Sequence, residues 1–250
     1  ATIPEWHVQL EATMPQKYWD FYKKNGGKPF PKEQIEAGKK DLEEFVHILE
    51  VEGVTVKRPD PIDFSTPYST LDWKTKGGLY AAMPRDVLLV IGDEIIEAPM
   101  AWRSRYFEAN AYRNLIKDYF KKGAKWTAAP KPQMSDDLYN YDWSEPKEGE
   151  EIYSITEFEP TFDAADFMRF GRDIFVQLSN VTNKFGVEWL QRHLGDKYKI
   201  HVLEVNDTHP MHIDATLLPL AHGKLLINKE RLKRIPDMFK NWDIFEAPNP

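Results

Sequence analysis

The sequence has 250 residues and contains no cysteine. This absence excludes disulfide bonds and metal sites built on thiolates. It also excludes a cysteine nucleophile within these residues. It gives no evidence about the redox compartment.

Long apolar runs are also missing, and no segment approaches the roughly 20 residues of a membrane-spanning helix. The first five residues, Ala-Thr-Ile-Pro-Glu, resemble neither a signal peptide nor a basic transit segment. The formal net charge is -7 and the two signs are interleaved along the chain. This argues against nucleic acid or an anionic membrane as the main partner. We therefore expect a cytoplasmic protein whose partners are small molecules.

The composition is that of a folded globular protein. Hydrophobic residues make up 42% of the chain and charged residues 29%, which permits a sizeable core and argues against global disorder. The length fits one large domain or two small ones. The chain starts without methionine and ends on a proline-rich stretch at 246–250. We expect both ends to be incomplete.

Four stretches have the apolar spacing of amphipathic helices, at 31–52, 104–122, 181–194 and 236–240. The simplest interpretation of each apolar face is packing against a core. In the first stretch that face is formed by Ile35, Leu42, Phe45, Val46 and Leu49.

Each of the first three helices is followed by a glycine and a short strand-like segment. The glycines are Gly53, Gly123 and Gly195, which are 70 and 72 residues apart. Glycine is the usual residue just beyond a helix C-terminus. The regular spacing predicts a large internal repeat.

Apolar hairpins, turning at Gly92, Gly171 and Gly223, lie between these helices. A repeat unit therefore reads strand–strand–helix–strand. We predict an α/β fold with at least three such units about a pseudo-symmetry axis.

Chemically useful residues lie at one place in this repeat, where each hairpin begins. Asp86 precedes the first hairpin, Asp163 and Asp166 open the second, and His212 and Asp214 open the third. Equivalent positions of repeats arranged about an axis converge. We therefore expect these side chains to surround a single pocket.

Such a pocket suits a cationic substrate with many hydrogen-bond donors. Carboxylates among apolar residues are costly to bury without a partner, and a planar guanidinium can take bidentate bonds from them. A histidine beside them can act as general acid and base. Each motif taken alone is commonplace, since Pro-Arg-Asp is usually a surface turn and His-x-Asp is more often structural or solvated.

Metal binding is the main alternative. Residues 207–214 hold two histidines and two aspartates, a set that could ligate zinc or iron. However, Pro210 and an extended backbone would direct His209 and His212 to opposite faces. Asp163 and Asp166 could instead form a helix cap or a calcium-like cluster.

Seven longer motifs resemble the glycine amidinotransferase family, the arginine-dependent amidinotransferases of the guanidine-modifying (pentein) superfamily. The similarity covers nearly the whole chain, and the motifs lie at 83–86, 94–105, 117–120, 123–126, 162–167, 171–175 and 211–216.

The resemblance implies a five-bladed α/β propeller and a two-step transfer without cofactor or metal. A cysteine thiolate attacks the guanidinium of arginine, ornithine leaves, and the bound amidino group passes to an acceptor amine. His212 matches the general acid/base and Asp163 the carboxylate that orients it. Asp86 and Asp214 match the carboxylates that grip the guanidinium. Arg231 matches the position that holds the donor's α-carboxylate, and a homodimer is left open.

Two departures from the family pattern concern completeness and the acceptor. The nucleophilic cysteine of the family lies in a C-terminal unit, so residues 1–250 are expected to be one partial domain that lacks this unit and the first strand. His209 replaces the asparagine of the glycine-using animal enzymes, beside Met211 and the expected acceptor site. Glycine is therefore a doubtful acceptor. A microbial enzyme is favoured, of the kind that serves guanidino toxins of cyanobacteria, with guanidinoacetate synthesis as the other pathway.

Two other functions stay open at this point. Related enzymes hydrolyse arginine to citrulline through the same intermediate, with water in place of the acceptor amine. A non-catalytic arginine-binding module is the third function, since the chain has no cysteine.

Overall fold

The computed structural model describes residues 1–147 and 149–247. The proline-rich end at 248–250 lies outside the described residues. The helices are α1 (Val8–Thr13), α2 (Trp19–Asn25), α3 (Lys32–Val51), α4 (Pro84–Val87), α5 (Arg113–Lys121) and α6 (Lys184–Leu194). The strands are β1 (Tyr68–Ser69), β2 (Lys74–Thr75), β3 (Leu88–Ile91), β4 (Glu94–Glu97), β5 (Lys125–Ala128), β6 (Phe167–Phe170), β7 (Asp173–Val176), β8 (Lys199–Val202), β9 (Leu217–Ala221), β10 (Lys224–Ile227) and β11 (Asp243–Glu246).

The described part contains three small sheets of the same design. Their strand orders are β3-β4-β5, β6-β7-β8 and β9-β10-β11. In each sheet the first two strands are antiparallel and the third runs parallel to the second. None of the three sheets closes on itself. The predicted α/β class is confirmed, and the strand arrangement of the predicted unit occurs three times, with an α-helix before the third strand in the first two sheets only.

The hairpins turn at the predicted glycines. Gly92, Gly171 and Gly223 have φ of 60°, 70° and 76°, a left-handed conformation that other residues adopt at a cost. The crossover to the third strand contains α5 in the first unit and α6 in the second. In the third unit it contains only the 3-10 turns Lys229–Arg231 and Asp237–Phe239. The stretch at 236–240 is thus a single turn rather than an α-helix.

Two of the predicted helices begin later than the apolar spacing indicates. The segment from 104 forms the 3-10 turns Arg103–Arg105 and Glu108–Tyr112 before α5 starts at Arg113. α6 starts at Lys184 rather than at 181 because the Asn183 side chain accepts a hydrogen bond from the Gly186 N–H at 2.8 Å. Such a side-chain cap fixes the helix N-terminus.

The first two units share one hydrophobic core. Its fully buried members include Ile96, Ile116, Phe162, Ile174 and Leu190. The third unit packs its own cluster against the second unit, which contributes Phe175 of β7 to it. The buried members of that cluster include Phe175, Ile213, Leu225 and Phe239. This packing brings the starts of the three hairpins together.

α3 forms where the sequence predicts it, but the prediction that it packs on a core is wrong. None of its residues is buried, and Leu42, Phe45 and Ile48 are 45%, 57% and 59% exposed. The strand predicted at 54–56 is also wrong, because no strand is formed there in the described residues. Gly53 does adopt the expected left-handed conformation, with φ of 79°. α3 is therefore a helix whose apolar face no described strand covers.

No helix in the described ranges combines the length and the apolar character that crossing a bilayer requires.

Candidate functional site

The site lies where three short helical turns enter the three hairpins. Asp86 belongs to α4, which leads into β3. Asp163 directly precedes the turn Ala164–Asp166 before β6, and His212 directly precedes the turn Ile213–Ala215 before β9. All three residues are buried and line one cleft of about 400 Å³. Their predicted convergence is observed.

The His212 imidazole lies between the two aspartates. Its Nε2 is 3.4 Å from Asp163 Oδ2, and its Nδ1 is 3.9 Å from Asp86 Oδ1. Burial alone would lower the pKa of His212. The hydrogen bond to Asp163 and the negative charges of Asp163 and Asp86 outweigh this effect and raise the pKa above its ordinary value. The ring is thus placed to carry a proton at the floor of the cleft.

A strained backbone holds this imidazole in position. His212 has φ of 62°, which is uncommon for a residue with a side chain. Its N–H donates to Asp166 Oδ1 at 2.9 Å. Ser179 and Thr182 donate to the other oxygen of Asp166, at 2.6 and 2.5 Å. Asp166 therefore lies behind the histidine as its anchor, and it is not among the residues that line the cleft.

Asp166 is expected to give the folding stability a measurable pH dependence. Burial raises the pKa of Asp166 to about 7, whereas an unfolded aspartate titrates near about 3.9. Between about pH 4 and 7 the folded state binds the extra proton, so the free energy of unfolding falls as pH rises through this window. Asp166→Asn should make this fall smaller by more than about 1 kcal/mol. Urea unfolding at pH 5 and pH 7.5 measures it, and equal pH dependence in the two proteins would contradict the assignment.

Arg105, which the sequence singled out only as part of a motif, is the central cation of the site. Its side chain is buried and donates two hydrogen bonds to Glu108, at 2.6 and 2.9 Å. Its Nη1 lies 3.0 Å from Asp86 Oδ2 and 3.3 Å from Asp163 Oδ2. The spacing of Arg105 and Glu108 by three residues, in a stretch with helical periodicity, was the available signal. Their contact with the aspartates could not be read from it.

Two carboxylate oxygens of cleft-lining residues lack a hydrogen-bond donor among the described residues. Asp86 Oδ1 and Asp163 Oδ1 are buried and have no hydrogen-bond partner in the described part of the chain. Burial raises the pKa of Asp86, although His212 and Arg105 oppose the shift. A buried carboxylate oxygen left unpaired carries a large desolvation penalty. A ligand that supplies several N–H donors would satisfy these oxygens.

Asp214, which was predicted to surround this pocket, is instead paired with Arg85 and does not line the cleft. The Arg85 Nη1 is 2.9 Å from Asp214 Oδ2, and Arg85 lines the cleft whereas Asp214 does not. Arg85 Nη2 also lies 3.4 Å from His212 Nδ1. Asp214 thus reaches the cleft through the Arg85 side chain.

The remaining candidates from the sequence fall in two places. Met211 lines the cleft. His209 lies beside Trp143, with its Nε2 3.8 Å from Glu145 Oε1. Arg231 forms an ion pair with Asp207. His209 and Arg231 are not among the described residues that line the cleft.

Three side chains of the cleft are close enough together to ligate one metal ion. One ligand atom each from Asp86, Asp163 and His212 lies within 4.8 Å of the others. The Arg105 guanidinium already contacts both carboxylates, and its charge opposes a divalent cation at the same point. Of the metal alternative at 207–214, only His212 belongs to this cluster. A cationic organic ligand with directed donors fits the site better.

No family model matches the chain. The chain is 58% identical to the L-arginine:L-lysine amidinotransferase of Pseudomonas savastanoi pv. phaseolicola, an alignment that covers the whole chain and 69% of that protein. It is 49% identical to the mitochondrial glycine amidinotransferase of Danio rerio, over the whole chain and 61% of that protein. The chain thus spans 61% to 69% of the length of these curated relatives.

Among solved structures, the chain is similar to an amidinotransferase of the saxitoxin biosynthetic pathway from Microseira wollei. The TM-score is 0.94 and the sequence identity 52%, over 99% of this chain and 71% of that chain.

Proposed function

The chain belongs to the amidinotransferase family, and we propose that its cleft binds the guanidinium of L-arginine as the donor in an amidino transfer. One observation carries this proposal: Asp86 Oδ1 and Asp163 Oδ1, beside the His212 imidazole, are buried and find no donor among residues 1–147 and 149–247. A guanidinium presents planar N–H groups in the fork geometry that carboxylates accept.

We propose that the reaction has two halves that use His212 in opposite directions. A thiolate from outside residues 1–250 attacks the guanidinium carbon, a C–S bond forms, and the C–N bond to ornithine breaks. His212 gives its proton to the departing amine. The acceptor amine then attacks the amidino carbon, His212 takes a proton from it, and the C–S bond breaks. Asp163 keeps the imidazole oriented, with its Oδ2 3.4 Å from Nε2.

The proposed substrate contacts extend beyond the buried pair. Asp214 is assigned to the guanidinium together with Asp86, and Met211, on the cleft wall, to packing against the substrate. Arg231 is assigned to the donor's α-carboxylate and His209 to the acceptor side. Two relatives are named for lysine and glycine, and a third for a toxin pathway. Because His209 departs from the glycine-using pattern, the proposed acceptor is an amine of microbial specialised metabolism.

We also propose that the chain is part of one five-bladed propeller domain. α3 and the Gly53 turn repeat the helix–glycine arrangement seen at α5 and Gly123. No hairpin in the described ranges covers the apolar face of α3, whereas α5 lies in a unit that contains the β3–β4 hairpin. The relatives are longer than residues 1–250. We propose that the part of the domain that these relatives have and residues 1–250 lack supplies the covering strands and the cysteine. Large exposed apolar surfaces are otherwise rare in soluble monomers.

The experiment that tests the function uses a chimera. Residues 1–250 replace the matching residues of the Pseudomonas savastanoi enzyme, which supplies the rest of the domain. L-arginine labelled at the guanidino carbon is supplied with L-lysine, with glycine or with no acceptor. We expect ornithine release together with a labelled guanidino product. A serine in place of the C-terminal cysteine is the negative control.

Two outcomes would contradict the proposal. Labelled citrulline formed without an acceptor would favour a hydrolase. A folded chimera that neither binds arginine nor releases ornithine, beside an active parent enzyme, would remove the function altogether.

A further inference from the structure

The half-exposed side chain of Arg85 contacts residues that the proposed function assigns to the substrate. Its Nη1 donates to Asp214 at 2.9 Å, its Nε lies 3.8 Å from Asp86 Oδ1, and its Nη2 lies 3.4 Å from His212 Nδ1. Asp86 and Asp214 are the two carboxylates proposed to grip the arginine guanidinium. A guanidinium group of the protein itself therefore stands at the rim where that of the substrate is expected.

The two arginines of the site differ in how firmly they are held. Arg105 is 7% exposed at its side chain, and Glu108 accepts two hydrogen bonds from it. The Arg85 side chain is 48% exposed and reaches one carboxylate at hydrogen-bond distance, that of Asp214. Its distance to Asp86 Oδ1 is too long for a hydrogen bond, so that oxygen has no hydrogen-bond partner among the residues that the structure describes. Solvent-screened pairs of this kind are weak and readily exchanged.

We infer that Arg85 is a built-in competitor, whose guanidinium holds the rim of the substrate site until the guanidinium of the donor displaces it. This inference rests on the proposed function. When the donor enters, Arg85 leaves Asp214 and Asp86, and the substrate supplies the hydrogen bond that Asp86 Oδ1 lacks. The same movement removes an N–H group from His212 Nδ1. Arg85 thus weakens ligand binding and keeps the acidic cleft neutralised while it is empty.

Arg85 could instead bind the α-carboxylate of the donor, and its removal would then change the affinity for L-arginine in the opposite direction. If Arg85 bound the α-carboxylate of the donor, its loss would weaken L-arginine binding and leave agmatine, which has the guanidinium but no carboxylate, unaffected. A competitor for the guanidinium position acts on both ligands alike. The pair L-arginine and agmatine therefore separates the two roles.

The test is a calorimetric titration, with L-arginine and with agmatine, of the chimera that carries serine in place of its C-terminal cysteine and so binds ligand without turning it over. We expect Arg85→Ala to bind L-arginine and agmatine more tightly, each by roughly two- to fivefold. Arg192→Ala is the matched control, because it removes a charge from the exposed pair Arg192–Glu188 on α6. It should leave both affinities unchanged.

A second variant separates displacement from the general field of a positive charge. In an Asp214→Ala background Arg85 loses the carboxylate to which it donates, so removing Arg85 should no longer improve binding. If the positive charge of Arg85 acted only through its electrostatic field, its removal would improve binding equally in that background. Three outcomes would overturn the inference and leave the proposed function intact. They are tighter binding on loss of Arg85 that persists without the Asp214 carboxylate, unchanged affinities in Arg85→Ala, and weaker binding of either ligand in Arg85→Ala. Absence of binding in every protein, at millimolar ligand, would count against the proposed function itself.

Discussion

His212→Ala in the chimera is expected to lower kcat for amidino transfer by about 10²- to 10⁴-fold, the usual contribution of a positioned general acid/base. The departing ornithine amine would lose its proton donor, and the acceptor amine would lose its base. KM for arginine should change much less, because the unpaired oxygens of Asp86 and Asp163 remain. Steady-state rates with labelled arginine measure the effect.

A matched control is available outside the cleft. His201 forms a similar pair with Asp173, with Nε2 2.6 Å from Oδ1, and it does not line the cleft. His201→Ala should leave kcat within about twofold of the unsubstituted chimera, because a residue that does not contact the substrate contributes no proton transfer. Equal losses in the two variants would mean that His212 acts through folding.

Arg105→Met is expected to destabilise the fold by about 3–5 kcal/mol, the range seen when one partner of a buried ion pair is removed. Three carboxylates, those of Asp86, Asp163 and Glu108, would lose their shared cation within the protein interior. Burial already raises the pKa of Glu108 to about 7 even with Arg105 in place. The loss should therefore be smaller at pH 5, where Glu108 is protonated and needs no cation.

Urea unfolding of the chimera measures this second prediction. Arg192→Met removes an exposed arginine paired with Glu188, and it should change the free energy of unfolding by less than about 1 kcal/mol. Adding Glu108→Gln to Arg105→Met should recover part of the stability, because one uncompensated charge disappears. A loss below about 1 kcal/mol for Arg105→Met would show that solvent or rearrangement satisfies the carboxylates.

The features that the sequence predicted are those encoded by local pattern. The hairpins follow from apolar runs broken at Gly92, Gly171 and Gly223, where the backbone requires a left-handed turn. The convergence of Asp86, Asp163 and His212 follows from their equal place in the repeat. A repeat constrains long-range geometry, since each copy reports where its equivalents lie.

The features that were missed depend on contacts between distant residues. The apolar face of α3 has ordinary helical periodicity, and periodicity cannot show whether a covering sheet is present. The Arg105 guanidinium acquires its role only when Asp86 and Asp163 are brought to it. Likewise, Asp166 and His212 both stand where a hairpin begins. The sequence does not show that the Asp166 side chain accepts a hydrogen bond from the His212 backbone.

The spread of the site along the chain has a kinetic consequence. The contacts of His212 with Asp163 and of Arg85 with His212 close loops of 49 and 127 residues. Closing such long loops costs conformational entropy before the contacts can stabilise the fold. Proteins with many long-range contacts therefore fold slowly. The cleft is therefore expected to mature late in folding, after the individual hairpins. A ligand held there would stabilise the completed arrangement of all three units and would give little protection to any one of them alone.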